Sequence, residues 1–201
     1  PEVGAVNLTE IEITNRNENE PLKIVWSGQH TSGKALHILL KSLALLNEKI
    51  QWELHILGIG KETGNWKQLS RKLKIDNHCI WYGWIDREKA FQIMKNAHCL
   101  AITSLKDLTS SVIIEGISLG LPIVTLDHCG FSFVVDDACG IKIPLDNPDK
   151  IFVNFKIAFE KLYKYENYRI SLAEGALKRA QDFSWESKIK QLNEVYQELV
   201  V

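Results

Sequence analysis

Short apolar runs alternate with amphipathic segments along most of the chain. From Leu22 onward, the apolar runs predict strands at 24–26, 52–57, 79–82, 100–103, 122–125 and 141–143. The segments between them carry apolar residues at helical spacing and predict helices at 36–46, 66–73, 87–94 and 109–120. Strands that alternate with helices of about ten residues indicate an α/β fold with a doubly wound, Rossmann-like parallel sheet.

The pattern changes at both ends of the chain. Beyond Pro144 the sequence predicts no further strand. It predicts three successive helices at 151–163, 168–180 and 185–199. Ser184 is a good N-cap for the last helix, whose apolar residues at 185, 189, 192, 196 and 199 form one stripe. The polar and acidic start, 1–20, is predicted to be a linker or edge segment. We therefore divide the chain into 1–20, a Rossmann-like domain at 21–166, and C-terminal helices at 167–201.

Composition narrows the class of protein. Apolar residues make up 45% of the 201 residues and charged residues 24%, which is enough for a real core. A formal net charge of −1 argues against a nucleic-acid-binding surface. The sequence has no run that approaches a transmembrane segment and no signal-peptide pattern, so we expect a cytoplasmic protein. Four cysteines are scattered without a Cys-x-x-Cys pair and are expected to be reduced thiols.

The stretch from 100 to 125 contains a carboxylate in an unexpected place. Glu115 lies in a predicted helix that is apolar on nearly every face and is therefore expected to be buried. Burial of a carboxylate costs several kcal/mol unless another group bonds to it. We favour a functional role for Glu115, with an internal salt bridge as the alternative.

The start of the same helix suits an anion. Thr109, Ser110 and Ser111 are good N-cap residues, and a helix N-terminus offers free N–H groups and a partial positive charge. The preceding strand places this terminus at the carboxyl edge of the sheet, where ligands bind in open α/β folds. The sequence therefore predicts a phosphate site there.

Two further charged residues fall at this edge. Lys34 ends a loop that begins at Gly28, after the first strand. At this position its ammonium group can bind an anion; the alternative is a lysine that is simply solvated. The spacing is not that of a Walker P-loop. Asp107 precedes the helix, and its alternative role is to bond its own backbone. Two carboxylates beside an anion site suit a ligand that carries hydroxyls as well as phosphate, such as a sugar nucleotide.

Two loops are weaker candidates. Gly58 and Gly60 would let a flat ligand approach the backbone, although they could equally form a tight strand exit. His128, Cys129 and Gly130 follow the fifth strand and could shape a sugar pocket or be a structural loop. No Ser/His/Asp order and no metal-ligand cluster stands out in the sequence.

These motifs in this order resemble the C-terminal, donor-binding domain of the retaining GT-B glycosyltransferases of family four, the glycosyl transferases group 1. The resemblance covers about 22–201. It rests on segments that match the family's motifs in turn: Gly28 to Ala35, Leu57 to Gly60, Tyr82 to Ile85, Asp107 to Glu115, Gly120 to Val124, and Phe183 to Trp185. In the family the last of these begins a helix that crosses back to the N-terminal domain, which is missing here.

The resemblance implies a role for each matching residue. Lys34 and the N–H groups around Thr109, Ser110 and Ser111 would stabilise the diphosphate, Glu115 would bond the ribose, and Asp107 the donor sugar. The remaining residues implied in nucleotide binding are Gly28, Gln29, Gly58, Gly60, Trp84 and Ile85. The donor would be a UDP- or GDP-sugar, with no metal and no other cofactor. A glycan or lipid-linked acceptor would bind through the N-terminal domain, either in the cytoplasm or at the inner face of the membrane.

The sequence departs from the family pattern at several positions. Gln29 replaces the usual arginine, so Lys34 carries more of the diphosphate charge. Asp107 replaces a glutamate, Cys129 the first glycine of a Gly-Gly pair, and Phe133 the glutamate that follows it. These changes concern the donor sugar more than the nucleotide.

Two other functions remain open at this stage. A non-hydrolysing sugar-nucleotide epimerase shares the two-domain architecture but needs further acid and base residues. A nucleotide-sugar-binding module without catalysis would bind and not turn over. Fold alone does not decide among these functions. The resemblance favours a donor-binding domain, which we expect to be inactive by itself.

Overall fold

The structure, a computed structural model, describes residues 11–108 and 110–199, except the side chain of Leu199. Thr109 and the residues at both termini lie outside this description. The described part contains six strands: β1 (Leu22–Ser27), β2 (Trp52–Leu57), β3 (Cys79–Gly83), β4 (Cys99–Ile102), β5 (Ile123–Leu126) and β6 (Gly140–Ile143).

The six strands form one sheet in the order β3-β2-β1-β4-β5-β6. Every pairing between neighbours in this sheet is parallel. The order reverses direction between β1 and β4, which pair in register at Ile24 with Cys99 and at Val25 with Leu100. The predicted parallel sheet is therefore confirmed, and its topological switch point lies between β1 and β4.

The helices follow the strands as the pattern predicted. They are α1 (Leu36–Leu43), α2 (Thr63–Lys72), α3 (Arg87–Lys95), α4 (Ser111–Ser118), α5 (Phe131–Val134), α6 (Pro148–Lys164), α7 (Glu166–Gln181) and α8 (Trp185–Leu199). Helices α3 and α8 begin at side-chain N-caps: Asp86 accepts from the N–H of Lys89 at 2.8 Å, and Ser184, the cap that the sequence predicted, accepts from the N–H of Ser187 at 3.1 Å. Helix ends differ from the predicted bounds by a few residues.

Three short elements were missed. They are α5 and the 3₁₀ turns at Ser32–Lys34 and Asp76–His78. Each is a single turn, which is too short to show a helical period in the sequence.

Helices cover both faces of the sheet. Along β1, Leu22, Ile24 and Trp26 point into one core cluster, whereas Val25 points into the other. The first cluster contains buried residues of α1, α2 and α6, and the second contains buried residues of α3, α4, α5 and α7. A sheet buried on both faces explains why the strands read as nearly continuous apolar runs.

The described part of the predicted N-terminal linker packs on the domain. It forms no strand or helix from 11 to 16. The Thr14 hydroxyl donates to the carbonyl of Lys95, at the end of α3, at 2.8 Å, and further contacts are with the junction of α6 and α7. The N–H of Arg16 donates to Glu166 at 2.9 Å, and its guanidinium donates to the carbonyl of Tyr163 at 2.6 Å. Arg169, on α7, donates to the carbonyl of Thr14 at 2.6 Å.

The last two helices differ in burial. On α7, the side chains of Leu172, Ala173, Ala176 and Ala180 are buried. On α8, the large apolar side chains of Trp185, Ile189, Leu192, Val195 and Tyr196 are each more than half exposed. No helix in the described ranges is both long and apolar enough to cross a membrane.

Candidate functional site

The candidate site lies where β1 and β4 end side by side. From these ends, α1 starts on one face of the sheet and α4 on the other, because their buried residues belong to different core clusters. In open α/β sheets, ligands bind between two loops that leave the same edge in opposite directions. The loop after β1 contains Lys34, and the loop after β4 contains Asp107.

Lys34 and Asp107, predicted independently, form an ion pair in the structure. Their side chains are 25% and 19% exposed, so the pair is shielded but open to solvent. Because a lysine ammonium has three N–H donors, Lys34 can hold Asp107 and still donate to an anion. Lys34 ends the 3₁₀ turn, and the next residue, Ala35, has a left-handed φ of 49°.

The predicted start of α4 lies beside this pair. Ser110 occupies the N-cap position with extended backbone, and Ser111 is the first helical residue and is exposed. Thr109, the third predicted residue of this terminus, lies outside the described residues. Helix α4 has eight residues, or about two turns, so its peptide dipoles add up and its first N–H groups carry the partial positive charge of a helix N-terminus.

Glu115 is less buried than the apolar pattern indicates. Its side chain is 20% exposed, and one carboxylate oxygen lies 3.6 Å from a guanidinium nitrogen of Arg87. Arg87 opens α3 and is itself 72% exposed, so this ion pair is a surface contact of small energy. The salt bridge of the alternative interpretation therefore exists, but it is not internal. The contact brings the start of α3, and with it Trp84 and Ile85, to the side of α4 that carries Glu115.

Gly58 and Gly60 lie against the loop that follows β1. A Cβ at Gly58, where φ is +112°, would come within 2.0 Å of the Gly28 carbonyl oxygen, and one at Gly60 within 2.5 Å of that of His30. The N–H of His30 donates to the carbonyl of Ile59 at 3.0 Å. Contact between two loop backbones thus accounts for both glycines without a ligand. Gln29, between these contacts, is exposed.

The turn after β3 completes this side of the edge. The Gly83 carbonyl accepts from the N–H of Gly58 at 2.8 Å, and Gly83 has a φ of +71°. Trp84 is 76% exposed, and Ile85 is half-buried against the second core cluster. Trp84 and Ile59 therefore present large apolar surfaces at the edge of the sheet, of the kind that a planar ring can stack on.

The loop after β5 braces the loop that carries Asp107. The N–H of Gly130 donates to the carbonyl of Leu108 at 2.9 Å. His128 donates from Nε2 to the carbonyl of Ser104 at 2.7 Å, which leaves Nδ1 to accept from the Cys129 thiol at 2.7 Å. Cys129 is exposed and has a φ of 53°. The other three cysteines are buried, and all four are free, as the sequence predicted.

Several contacts at this edge have no signal in the sequence. Arg87 and Thr103 each reach a residue of the candidate site from another part of the chain. A buried histidine, His30, packs among the rings of Trp26 and Trp66, and burial lowers its pKa. In the described ranges, no group of three or more His, Cys, Asp or Glu side chains is arranged to hold a metal ion.

A doubly wound parallel sheet with a cation and a helix N-terminus at its switch point defines a Rossmann-like domain, a class in which ligands commonly bind at that edge. The sequence profile of the glycosyl transferases group 1 matches residues 9–179. The chain belongs to this family, and the resemblance seen in its motifs is confirmed.

Relatives and solved structures agree with this assignment. The chain is 25% identical over 186 residues to the D-inositol 3-phosphate glycosyltransferase of Corynebacterium kroppenstedtii. This match covers 88% of this chain and 40% of that protein. It resembles the lipopolysaccharide outer core galactosyltransferase WaaB with a TM-score of 0.78 at 20% identity, over 96% of this chain and 54% of that one. HepE of Anabaena in complex with UDP-glucose gives a TM-score of 0.76 at 18% identity, over 90% of this chain and 50% of that one.

These likenesses confirm the Rossmann-like fold of GT-B glycosyltransferases. The chain spans about half the length of these proteins or less. It therefore matches one part of each of these longer proteins.

Proposed function

We propose that this chain binds the nucleoside-diphosphate sugar donor of a retaining glycosyltransferase. The observation that carries the proposal is the meeting of Lys34, Asp107 and the start of α4 at the switch point of the sheet. This edge offers one cation and free helix N–H groups for a diphosphate, with carboxylates nearby for hydroxyls.

The diphosphate is the part of the donor that changes charge during transfer. When the bond between the sugar and the diphosphate breaks, negative charge builds on the leaving phosphate. Lys34 and the N–H groups at Ser110 and Ser111 would stabilise that charge, because preorganised donors act where charge develops. Asp107, held by Lys34, would accept hydrogen bonds from hydroxyls of the sugar.

The nucleoside would extend toward β3. Glu115 accepts hydrogen bonds from the ribose hydroxyls in this arrangement, and its contact with Arg87 places the turn at Trp84 and Ile85 next to it. The base would lie along Ile59 and Trp84, whose exposed apolar surfaces face this edge. The structure of HepE, which has a similar fold, was solved in complex with UDP-glucose, and this supports testing a uridine nucleotide first.

The acceptor would bind through a part of the protein that this chain does not contain. In this proposal that part covers the exposed apolar side chains of α8, because five large apolar side chains on one helix are costly to leave in water: Trp185, Ile189, Leu192, Val195 and Tyr196. The chain alone would bind a donor nucleotide and transfer no sugar.

Calorimetric titration of the purified chain against UDP-, GDP- and ADP-sugars tests the proposal. We expect saturable binding of one nucleotide class, with the free nucleoside binding far more weakly than the nucleoside diphosphate. Lack of binding to all three classes at millimolar concentrations would overturn the proposal. Binding by the chain, with no turnover in the full-length protein, would instead identify a module without catalysis.

A further inference from the structure

Two buried side chains connect the core of the sheet to the backbone of Lys34. The indole Nε1 of Trp26 donates to the hydroxyl of Thr103 at 3.1 Å. That hydroxyl in turn donates to the carbonyl oxygen of Lys34 at 2.9 Å. Trp26 lies near the end of β1, and Thr103 directly follows β4, so the connection crosses the switch point of the sheet.

The direction of these hydrogen bonds is fixed by the groups that form them. An indole N–H only donates, so the Thr103 hydroxyl must accept from Trp26 and turn its single proton toward Lys34. Thr103 is fully buried and Trp26 is 2% exposed, so water does not compete for either bond. The carbonyl of Lys34 is therefore held by a donor of fixed orientation.

The position that this donor holds is an unusual stretch of backbone. Lys34 ends a 3₁₀ turn, and Ala35 has the left-handed φ that residues with a Cβ avoid. Such conformations persist where the surroundings over-determine them. Further bonds come from the loop after β4, whose N–H groups at Leu105 and Lys106 donate to the carbonyl of Gly33 at 2.8 and 3.4 Å.

We propose that Trp26 and Thr103 are positioning residues that fix the Lys34 ammonium at the anion site through the Lys34 backbone. This inference rests on the proposed function. Neither side chain touches the ligand in this account. Since Gln29 supplies no charge, the accuracy with which Lys34 is placed determines how well this loop meets a diphosphate.

Thr103→Val is the direct test, because it removes the hydroxyl and keeps the shape of the side chain. We expect it to weaken binding of UDP or GDP by about three- to tenfold, the range of one lost hydrogen bond. Thr103→Ser keeps the hydroxyl and should restore the wild-type affinity. Thr125→Val is the matched control, since Thr125 is equally buried on the neighbouring strand and its hydroxyl donates to the carbonyl of Leu126 at 3.4 Å.

A double-mutant cycle separates positioning from a general loss of structure. If Thr103 acts through Lys34, Thr103→Val has no further effect on nucleotide affinity in a Lys34→Met background. Trp26→Phe, which removes the N–H and keeps an aromatic ring, should weaken binding in the same direction and more mildly. Equal affinities of the Val and Ser variants, or additive effects in the cycle, would overturn the proposal.

Hydrogen exchange decides the proposal without any nucleotide. In Thr103→Val the amides of Lys34 and Ala35 should exchange about tenfold faster than in the wild type, whereas amides of β2 keep their rates. Unchanged exchange at these two amides would overturn the positioning role. Faster exchange in a protein that binds no nucleotide would leave the positioning role standing and overturn the proposed function.

Discussion

Two charged pairs of this protein differ in their surroundings. Lys34 and Asp107 meet at the open edge of the sheet, each about one-fifth to one-quarter exposed. Arg169, paired with Glu166 on α7, is 1% exposed and also donates to the backbone carbonyls of Thr14 and His98. The guanidinium is therefore committed to the protein on every side, whereas the ammonium retains donors for a ligand.

The comparison of the two pairs indicates that burial alone does not identify a functional charge. A buried charge with its donors used up holds the fold together, and its removal leaves carbonyls unsatisfied. A partly exposed charge with few partners contributes little stability and can act on a ligand. The variants below test this distinction, beginning with the largest expected effect.

Arg169→Met should produce the largest loss of stability. It strands the carbonyls of Thr14 and His98 and breaks a buried ion pair, so we expect a loss of about 3–5 kcal/mol in the free energy of unfolding. Chemical denaturation measures this loss. Lys178→Met, an exposed charge on the same helix, is the control and should cost little; equal losses would contradict the structural role of Arg169.

His98, whose carbonyl accepts from Arg169, should make stability depend on pH. Burial lowers the pKa of His98 to about 4, with Arg169 adding to the effect, and the N–H of Lys23 donates to its Nδ1 at 2.9 Å. Between pH 6.5 and 4 the unfolded chain binds a proton that the folded chain does not, so stability falls as the pH falls through this range. Above pH 6.5 the contribution is constant.

His98→Asn tests this dependence, because the amide oxygen can still accept from Lys23. The loss of stability between pH 7 and 4 should be smaller in the variant by on the order of 3 kcal/mol at most. Three other histidines with lowered pKa values, His30, His37 and His55, act in the same direction in both proteins, so only the difference between the two proteins is informative. Parallel pH profiles would show that His98 charges freely in the folded state.

Glu115→Gln should affect ligand binding and leave the fold intact. A carboxylate that bridges two ribose hydroxyls makes charge-assisted bonds, and the amide keeps only one acceptor oxygen. We expect a loss of roughly 1.5–3 kcal/mol in the binding of nucleoside diphosphates. Arg87→Gln is the partner control: if Glu115 serves only its salt bridge, both variants would lower the melting temperature equally and leave affinity unchanged.

Ala35→Gly should have the smallest effect. Glycine relieves the left-handed φ at this position, which offsets the entropy and packing it loses, so stability should change by no more than about 1 kcal/mol. Ala176→Gly, at an equally buried site within α7, relieves nothing and should cost about 1–2 kcal/mol. Equal losses in thermal denaturation would show that the φ of Ala35 carries no strain.

The sequence predicted the parts of this molecule that have a local signal. Alternating apolar runs and capped helices predicted the sheet and its helices. Lys34, Asp107 and Ser110 were predicted at one edge because each lies between the end of a strand and the helix that follows it. Glu115 was identified because a carboxylate in an apolar helix is unusual. Each of these inferences uses residues only a few positions apart.

Contacts between distant segments could not be predicted in this way. Thr103 bonds residues 69 and 77 positions away, and Arg169 bonds one 155 positions away. The sequence near Thr103 or Arg169 does not indicate these partners. In the same way, strand periodicity predicts that Trp26 is buried but does not predict the acceptor of its indole N–H. The glycines at 58 and 60 show the same limit: the sequence indicated a close approach, and the structure identifies the neighbouring loop as what approaches.

The most direct test of the account is the affinity of Lys34→Met for a nucleoside diphosphate. Lys156→Met is its matched control, because Lys156 is similarly exposed and pairs with Glu160 at 3.1 Å on α6. Isothermal titration with UDP and GDP should show about ten- to hundredfold weaker binding for Lys34→Met, with stability and the affinity of Lys156→Met close to wild type. Equal affinities of the two variants would contradict a phosphate-binding role for Lys34.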